Sequence, residues 1–426
     1  MSFAFSAFGV FSRRRLLRAP RRGAFWRLLA STIALALFAG CVGTPAPRIP
    51  LAAIPAAQQD RAARNVAVFS AAWSLVADRH FDPRLHGLDW PALGRAAGAE
   101  AAAAPDDTAL YAALNRMLEP LGDSHTHALT PAQAAARRAR ARARTGFNMT
   151  RLDGRWAVWD VLPESPAARA GVRRGWIAVA RNGAALGDRP DFQPRAGETA
   201  RWEFLDTDDR PVALALTAEP LPLVPPPQAR LLPGGFVQLR FDAFATPDRR
   251  WLGAQLKAHR DAPGVVIDLR RNPGGDTFSL GISVGEFFDR AVDCGRFVTR
   301  GGMASTKRSF GLGSARYAGR VALLVDGATA SAAEIFAAVL QAHHRAVVIG
   351  RPTAGAVLAS WFHRLPDGGE LQLSREDYIA PQGYRLEGRG VTPDIASAFS
   401  LADLRAGRDP DLAAALAWLE TDPRRP

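Results

Sequence analysis

The sequence contains little of three things that would each favour a particular class of protein. Only two of its 426 residues are cysteines, Cys41 and Cys294, which excludes a disulfide framework and a four-cysteine zinc site. Only two are lysines, Lys257 and Lys307, although arginine is common. The apolar run at residues 28–38 is short for a membrane-spanning helix, which needs about 20 residues. The sequence therefore predicts neither a disulfide-rich nor a membrane-spanning protein.

Positive charge is concentrated in two places. The net charge is +13, and residues 1–40 supply +7 of it because they hold seven arginines and no acid. Five more arginines lie between residues 137 and 144. A nucleic-acid-binding surface needs basic residues spread over a folded face, so we expect no nucleic-acid partner. With 48% hydrophobic residues the chain can build packed cores, and its length predicts two or three domains of about 100–200 residues each.

The first 40 residues are typical of a signal peptide, with a basic stretch followed by the apolar run. The run ends in Leu37-Phe38-Ala39-Gly40-Cys41, which resembles a bacterial lipoprotein box. We therefore expect export to the bacterial cell envelope and a lipid anchor at Cys41 that holds the chain to a membrane on the periplasmic side. An ordinary secretory signal with an incidental Cys41 is the alternative. A Pro-rich linker follows at 41–59.

The rest of the chain falls into blocks with different patterns. Apolar spacing predicts a helical domain over 60–132, short Val- and Trp-rich runs predict a β-rich domain over 145–220, and alternating strands and helices predict an α/β core over 233–400. A C-terminal helix is expected within 401–426. The Ala/Arg-rich stretch 133–144 is interpreted as a solvated helix or linker, with contact to lipid headgroups as an alternative, and residues 221–227 as a stiff Pro-rich linker.

Ser331 lies at a predicted strand-to-helix turn, a position that favours a catalytic serine. A buried strand is predicted to end at Val325, and a helix with an apolar stripe begins beside Ser331. The positive end of that helix would face the serine oxygen, and the unpaired amide of Ala332 could bind a developing oxyanion. The simpler interpretation is that Ser331 only caps the helix.

A second predicted strand ends in Asp268–Asp276, which contains the pair Gly274-Gly275. Glycines let a backbone amide approach a substrate closely. An amide of Gly274 or Gly275 together with that of Ala332 would make a two-donor oxyanion hole. On its own, such a sequence is only a turn.

In this order, the motifs resemble the C-terminal-processing and tricorn-type serine peptidases. The resemblance covers nearly all of the chain after residue 60 and implies a crotonase/ClpP-like α/β peptidase core, an N-terminal helical domain and a PDZ-like domain. The core likeness rests on four segments: 268–275, 329–334, 350–355 and 387–394. The PDZ likeness rests on 145–149 and 165–172, and it implies that backbone amides near Gly146 and Phe147 bind a polypeptide terminus.

Within this family, the resemblance implies one of two ways to activate the serine. One branch uses a lysine just after the Thr-x-Gly turn, but that position is Ala356, and neither lysine of the chain lies in the motif. Arginine cannot replace it, because its pKa prevents it from acting as a base. The tricorn branch uses a histidine in the helical region and a glutamate near the end of the core, which His125 and Glu387 match.

The resemblance thus implies a serine endopeptidase without a cofactor or metal, acting on unfolded or C-terminally exposed polypeptides. Ser331 would attack, His125 would be the base, Glu387 would orient His125, and Ser124 would assist. The carboxylates of Glu376, Asp377 and Asp394 are alternatives to Glu387. A catalytically inactive binding or scaffold lipoprotein with the peptidase fold, an acyl-CoA enzyme, and a metal site at His125 and His127 are the rival interpretations.

Overall fold

The computed structural model describes residues 44–52, 54–188, 194–313 and 316–421. The predicted signal peptide and the predicted lipid-bearing Cys41 lie outside these ranges. Within them, no helix is both long enough and apolar enough to cross a membrane. All the elements below belong to one compact unit that begins at Ala46.

Three helices form the N-terminal region: α1 (Gln59–Arg79), α2 (Trp90–Ala103) and α3 (Asp107–Leu118). The carboxylates of Asp89 and Asp106 accept hydrogen bonds from the amides of Ala92 and Ala109, which caps α2 and α3 at their first turns. The apolar stripe of α1 includes Phe69 and is buried against the other two helices, as its spacing predicts. The helical N-terminal region is confirmed.

The next elements are β1 (His127–Leu129), α4 (Pro131–Ala139) and β2 (Ala141–Arg144). The Arg-rich stretch is therefore helix followed by strand. β2 pairs antiparallel with β9 (Glu219–Pro222), so the predicted Pro-rich linker begins as part of a strand. Arg137 and Arg138 both pair with the buried carboxylate of Glu370, which fixes α4 on the body of the protein.

The β-rich region has a sheet in the order β3-β4-β5-β7-β8, with β6 paired to β5. Its elements are β3 (Phe147–Leu152), β4 (Arg155–Val161), α5 (Pro166–Arg169), β5 (Ile177–Arg181), β6 (Ala184–Ala185), β7 (Thr199–Leu205) and β8 (Pro211–Thr217). Asn182 and Gly183 both have positive φ and join β5 to β6 in the hairpin that their sequence predicts. Phe147 packs edge-on against Trp202 in the core of this region.

The α/β core contains a sheet in the order β10-β11-β12-β15-β16-β19, which is parallel from β11 onward. These strands are β10 (Gln228–Leu231), β11 (Val237–Arg240), β12 (Gly264–Asp268), β15 (Arg320–Val325), β16 (Val347–Gly350) and β19 (Ile395–Ala396). All five residues of β12 are buried, as a continuous apolar run predicts for a strand covered on both faces. The α/β class is confirmed.

A second sheet lies in the order β1-β18-β13-β14, with β17 paired to β18. It joins the helical region to the core through β13 (Asp293–Thr299), β14 (Ala304–Arg308), β17 (Ala359–Arg364) and β18 (Glu370–Ile379). The core helices are α6 (Thr246–Ala258), α7 (Thr277–Gly285) and α8 (Ala332–Ala342). Cys294 of β13 is buried, which raises the pKa of its thiol to about 11 and suits a packed residue rather than a redox centre.

Two helices, α9 (Leu401–Arg405) and α10 (Pro410–Glu420), lie where the sequence predicts one. A turn at Gly407, which has positive φ, separates them. Leu401 and Leu404 of α9 pack on the β-rich region, whereas Leu412 and Leu419 of α10 pack on the core sheet.

The loop after β12 is held by residues at the start of α10. Arg270, whose side chain is 7% exposed, forms ion pairs with Asp268, Asp409 and Asp411 at 2.7, 2.8 and 3.1 Å. Asp411 also pairs with Arg351 at 2.7 Å. A buried guanidinium needs such partners, because burying an unpaired charge is costly. Residues 409–411 therefore support the start of this loop, residues 269–276, which contains Gly274 and Gly275 and is called the glycine loop below.

Candidate active site

Ser331 occupies a strained turn between β15 and α8. Its φ and ψ are 55° and −124°, a conformation that non-glycine residues rarely adopt and that costs on the order of 1–3 kcal/mol. The turn is held because the Ser331 amide donates to the carbonyl of Ala356 at 2.7 Å and to Oε2 of Glu334 at 3.1 Å. A serine on a sharp strand-to-helix turn is typical of nucleophiles in hydrolases.

Glu334 is a central part of this turn that the sequence pattern alone does not reveal. Its side chain is fully buried and accepts four hydrogen bonds, from Oγ1 of Thr353 and from the amides of Gly355, Ala356 and Ser331. Burial raises the pKa of Glu334, although these four donors act in the opposite direction. In the first turn of α8, a carboxylate would by itself be expected only to stabilise the helix dipole. In the structure it joins the Ser331 turn to the segment 353–356.

The glycine loop lies directly against Ser331. A Cβ atom placed on Gly274 would be 2.6 Å from Cβ of Ser331 and 2.7 Å from the amide nitrogen of Ala332, so only glycine fits. The Gly274 amide donates to Oδ1 of Asn272 at 2.9 Å and is occupied. In the described chain, no hydrogen bond is formed by the amides of Gly275 and Ala332. Of the two glycines, Gly275 is therefore the one whose amide is free to act, beside that of Ala332, as a second hydrogen-bond donor.

The Glu387 carboxylate connects the turn that carries His125 to the segment that contacts the Ser331 backbone. Oε1 of Glu387 accepts from the Ser124 amide at 3.1 Å, and Oε2 accepts from the Val357 amide at 2.7 Å. Val357 follows Ala356, whose carbonyl holds Ser331. The structure thus brings Ser124, His125, Glu387 and Ser331 into one neighbourhood.

The contacts of the imidazole differ in detail from the expected ones. Oγ of Ser124, not the Glu387 carboxylate, lies 2.6 Å from Nδ1 of His125. Glu387 contacts the backbone of Ser124 rather than the ring. No hydrogen bond joins Oγ of Ser331 to either ring nitrogen in this conformation. The roles of the four residues stay predictions.

The electrostatics of His125 favour the neutral ring that a general base needs. Burial lowers the pKa of His125, while the negative charges of Glu387 and Asp123 oppose that shift. The neutral form therefore prevails near pH 7. Once the ring takes up a proton, the same two carboxylates stabilise the imidazolium.

No amine lies at the position of the family's catalytic lysine. That position, Ala356, contacts the Ser331 backbone directly and carries only a methyl group. Lys257 and Lys307 are exposed on α6 and β14. Two of the three alternatives to Glu387 are engaged elsewhere: Asp377 pairs with Arg385, and Asp394 accepts from Val348 and Gln341. Glu376 lies on β18, between β13 and β17.

Other predicted residues lie apart from this site. Gly146 and Phe147 are in the β-rich region, where Gly146 packs so closely that an added Cβ would be 2.1 Å from Cβ of Ser165. By contrast, His127, on β1 opposite Gln372, is close to His125: burial lowers the pKa of the His127 ring, and a charge on His125 lowers it further. Within residues 44–421, apart from the short undescribed gaps, no group of three or more potential metal ligands occurs.

Comparison with known proteins agrees with this fold. Residues 236–397 match the model of peptidase family S41. The chain is 26% identical over 359 residues to carboxyl-terminal-processing peptidase 3, chloroplastic, of Arabidopsis thaliana, which covers 78% of this chain and 69% of that protein. It is 36% identical over 149 residues to a carboxy-terminal-processing protease of Bartonella bacilliformis, covering 34% of this chain and 33% of that one.

Solved structures of two peptidases share the fold. The photosystem II D1 C-terminal processing protease matches with a TM-score of 0.58 and 22% identity, over 84% of this chain and 98% of its own. The tricorn protease matches with a TM-score of 0.52 and 17% identity, over 84% of this chain and 37% of its own. The family match assigns residues 236–397 to peptidase family S41 and, with the two sequence relatives, identifies the protein as a serine-type peptidase, whereas the solved structures show the shared fold.

Proposed function

We propose that the protein cleaves peptide bonds with Ser331 as nucleophile and His125 as general base. The observation that carries this proposal is the double contact of Glu387, whose two oxygens bind the His125 turn and the segment that holds the Ser331 backbone. A carboxylate in that position keeps the imidazole and the hydroxyl in one cleft. Because the side chain of Ala356 carries no amine, the imidazole of His125 takes the role of base in this proposal.

The chemistry follows from which ring nitrogen is occupied. In the tautomer that carries its proton on Nδ1, His125 donates a hydrogen bond to Oγ of Ser124, and Nε2 is free to accept the Ser331 proton as Oγ attacks the carbonyl carbon. The proton then passes from Nε2 to the leaving amine, and water repeats the cycle on the acyl-enzyme. Substrate binding must draw the imidazole and the hydroxyl into contact, as catalytic hydrogen bonds often tighten only in the bound state.

The oxyanion is assigned to two backbone donors. The amides of Ala332 and Gly275 are free, whereas that of Gly274 donates to Asn272. One such donor typically contributes about 10²–10³ in rate. Gly274 contributes instead by letting the loop approach Ser331.

We also propose that the β-rich region acts as a PDZ-like domain that binds a polypeptide C-terminus. Beside Gly146 and Phe147 lies a cavity of about 260 Å³ lined by apolar side chains and by four arginines: Arg142, Arg144, Arg181 and Arg271. Among its described lining residues only Glu198 is acidic, and it pairs with Arg181 at 2.7 Å. Guanidinium groups bind carboxylates well, and the relatives are named for C-terminal processing. Dissociation constants of peptides with free and amidated C-termini measure this preference.

The N-terminal sequence supports export and anchoring at Cys41 in the bacterial cell envelope. The basic stretch, the apolar run and the small residues before Cys41 are the basis of this proposal. A lipid on Cys41 would hold the peptidase at a membrane surface. Cell fractionation of the wild type and of Cys41→Ser tests this anchoring, because loss of the lipid should move the protein from the membrane fraction to the soluble fraction.

Covalent labelling tests the nucleophile and its base together. A serine-reactive phosphonate should label the wild type at Ser331, and His125→Ala should reduce the labelling rate by about 10²–10⁴-fold because the base is lost. His259→Ala is the matched control, since His259 lies at the C-terminal end of α6, outside the turn that carries His125. Equal labelling of wild type and His125→Ala would remove His125 from the mechanism.

The pH dependence of that labelling has a defined sign. Because burial lowers the pKa of His125, the acid limb of the labelling rate should lie below the ordinary histidine value of about 6.5. Glu387→Gln removes a negative charge that raises this pKa, so the limb should move to still lower pH. A limb that stays in place, measured as rate against pH for both proteins, would contradict the proximity of the two groups.

A further inference from the structure

The carboxylate of Asp123 is the most heavily bonded group in the turn that carries His125. Its side chain is 2% exposed. Oδ1 accepts from the amides of His125 and Thr126 at 2.9 and 2.6 Å and from Oγ of Ser374 at 3.0 Å. Oδ2 accepts from Oγ1 of Thr126 at 2.7 Å and pairs with Nε2 of His80 at 2.8 Å. Five donors therefore fix one carboxylate beneath the turn.

His80 connects this carboxylate to the rest of the protein. Its side chain is fully buried just after α1 ends, and its Nδ1 lies 3.2 Å from the backbone of Asp82. The carbonyl of His80 accepts from Arg300 at 2.9 Å, and the next amide, that of Phe81, donates to the carbonyl of Ser374 at 3.0 Å. The imidazole of His80 thus has little freedom to move.

The charges agree with this arrangement. Burial raises the pKa of Asp123, but the hydrogen bonds from His80, Thr126 and His125 outweigh it and hold the pKa below its ordinary value. Asp123 is therefore ionised at neutral pH. It forms no hydrogen bond with the ring of His125: it contacts that residue through the backbone amide, and its charge raises the pKa of the ring.

We propose that His80 and Asp123 are positioning residues for the reaction, which place the imidazole of His125 by fixing the backbone of residues 123–126. This inference rests on the proposed role of His125 as general base. In that role the ring must meet Ser331 within hydrogen-bond distance, and a misplacement of about 1 Å can cost 10²-fold in rate. Ser124 and Glu387 hold the other side of the turn, so His80 and Asp123 complete its support.

Two substitutions of His80 separate positioning from simple packing. His80→Gln keeps an N–H donor near the place of Nε2, so Asp123 stays bonded. His80→Leu keeps most of the volume but leaves Oδ2 of Asp123 with one donor fewer in a buried site. A purely structural role of His80 predicts that both variants lose activity only in proportion to their unfolded fraction.

The test measures kcat and KM for a peptide substrate, with each protein at a temperature where its melting curve shows it folded. His80→Leu and Asp123→Asn should lower kcat about 10- to 100-fold with KM changed less than about threefold. His80→Gln should recover kcat to within about fivefold of the wild type. His86→Gln, which alters a half-exposed neighbour of the His80 ring, is the matched control and should be unchanged.

Equal kcat for His80→Gln and His80→Leu, or a change confined to KM, would overturn the inference. If His80→Leu does not fold, Thr126→Val removes another donor to Asp123 and should lower kcat about three- to tenfold; an unchanged kcat would again overturn it. His125→Ala is measured in parallel. Full activity of His125→Ala ends the proposed function itself, whereas an inactive His125→Ala beside a fully active His80→Leu ends only this inference.

Discussion

Ser331→Ala should remove hydrolysis of an unfolded protein substrate, lowering kcat by at least about 10⁴-fold, while the melting temperature changes little. In the proposed mechanism the hydroxyl is the attacking group, and loss of a nucleophile removes the covalent path entirely. The fold should tolerate the change because Ser331 is held by its backbone amide, which alanine retains. Turnover measured with a fluorescently labelled casein, beside a thermal melt, shows both effects.

Two further variants sharpen that result. Ser331→Gly should be equally inactive but more stable than Ser331→Ala by about 1 kcal/mol, because glycine accepts a φ of 55° without strain. Ser305→Ala, on exposed strand β14, is the matched control and should keep full activity. Hydrolysis that survives in purified Ser331→Ala would assign the peptidase activity to another residue.

Gly274→Ala should lower kcat/KM by about 10²-fold or more and destabilise the fold by about 2 kcal/mol or more. The added methyl group would meet Cβ of Ser331 and the Ala332 amide nitrogen at less than 3 Å, at a residue whose φ is +96°. Either the glycine loop or the head of α8 must shift. Each shift moves an oxyanion donor away from the reacting carbonyl.

Gly302→Ala separates the two causes of that loss. Gly302 also has positive φ, at +76°, but an added Cβ would meet nothing within 4 Å. This variant should cost only the backbone strain of about 1 kcal/mol and leave kcat/KM unchanged. Denaturant melts and peptide kinetics on both variants provide the comparison, and equal kinetics for the two would show that the approach of Gly274 to Ser331 does not matter for catalysis.

Local sequence patterns were sufficient to predict the elements that position the candidate site. The apolar run of β12, the serine at the head of α8 and the Asn182-Gly183 hairpin follow from neighbouring residues, since each reflects burial or φ at one place in the chain. The match of His125 and Glu387 to the tricorn pattern came from resemblance rather than from any local rule.

Contacts between distant residues were not predictable in the same way. His80 and Asp123 are 43 residues apart, and the partners of Glu334 lie about 20 residues beyond it, so no periodicity links them. The occupied amide of Gly274 depends on the rotamer of Asn272. The strand pair β2–β9 joins an Arg-rich stretch to a Pro-rich one, and neither composition favours a strand.

The ion pairs of Arg270 with Asp409 and Asp411 have a consequence for biosynthesis. Arg270 precedes the glycine loop by only a few residues, yet two of its three carboxylate partners are translated about 140 residues later. A nascent chain that has not yet reached these aspartates leaves Arg270 with Asp268 as its carboxylate partner and with several guanidinium N–H groups unpaired. We therefore expect the loop that follows Arg270 to reach its full support only after translation has passed residue 411.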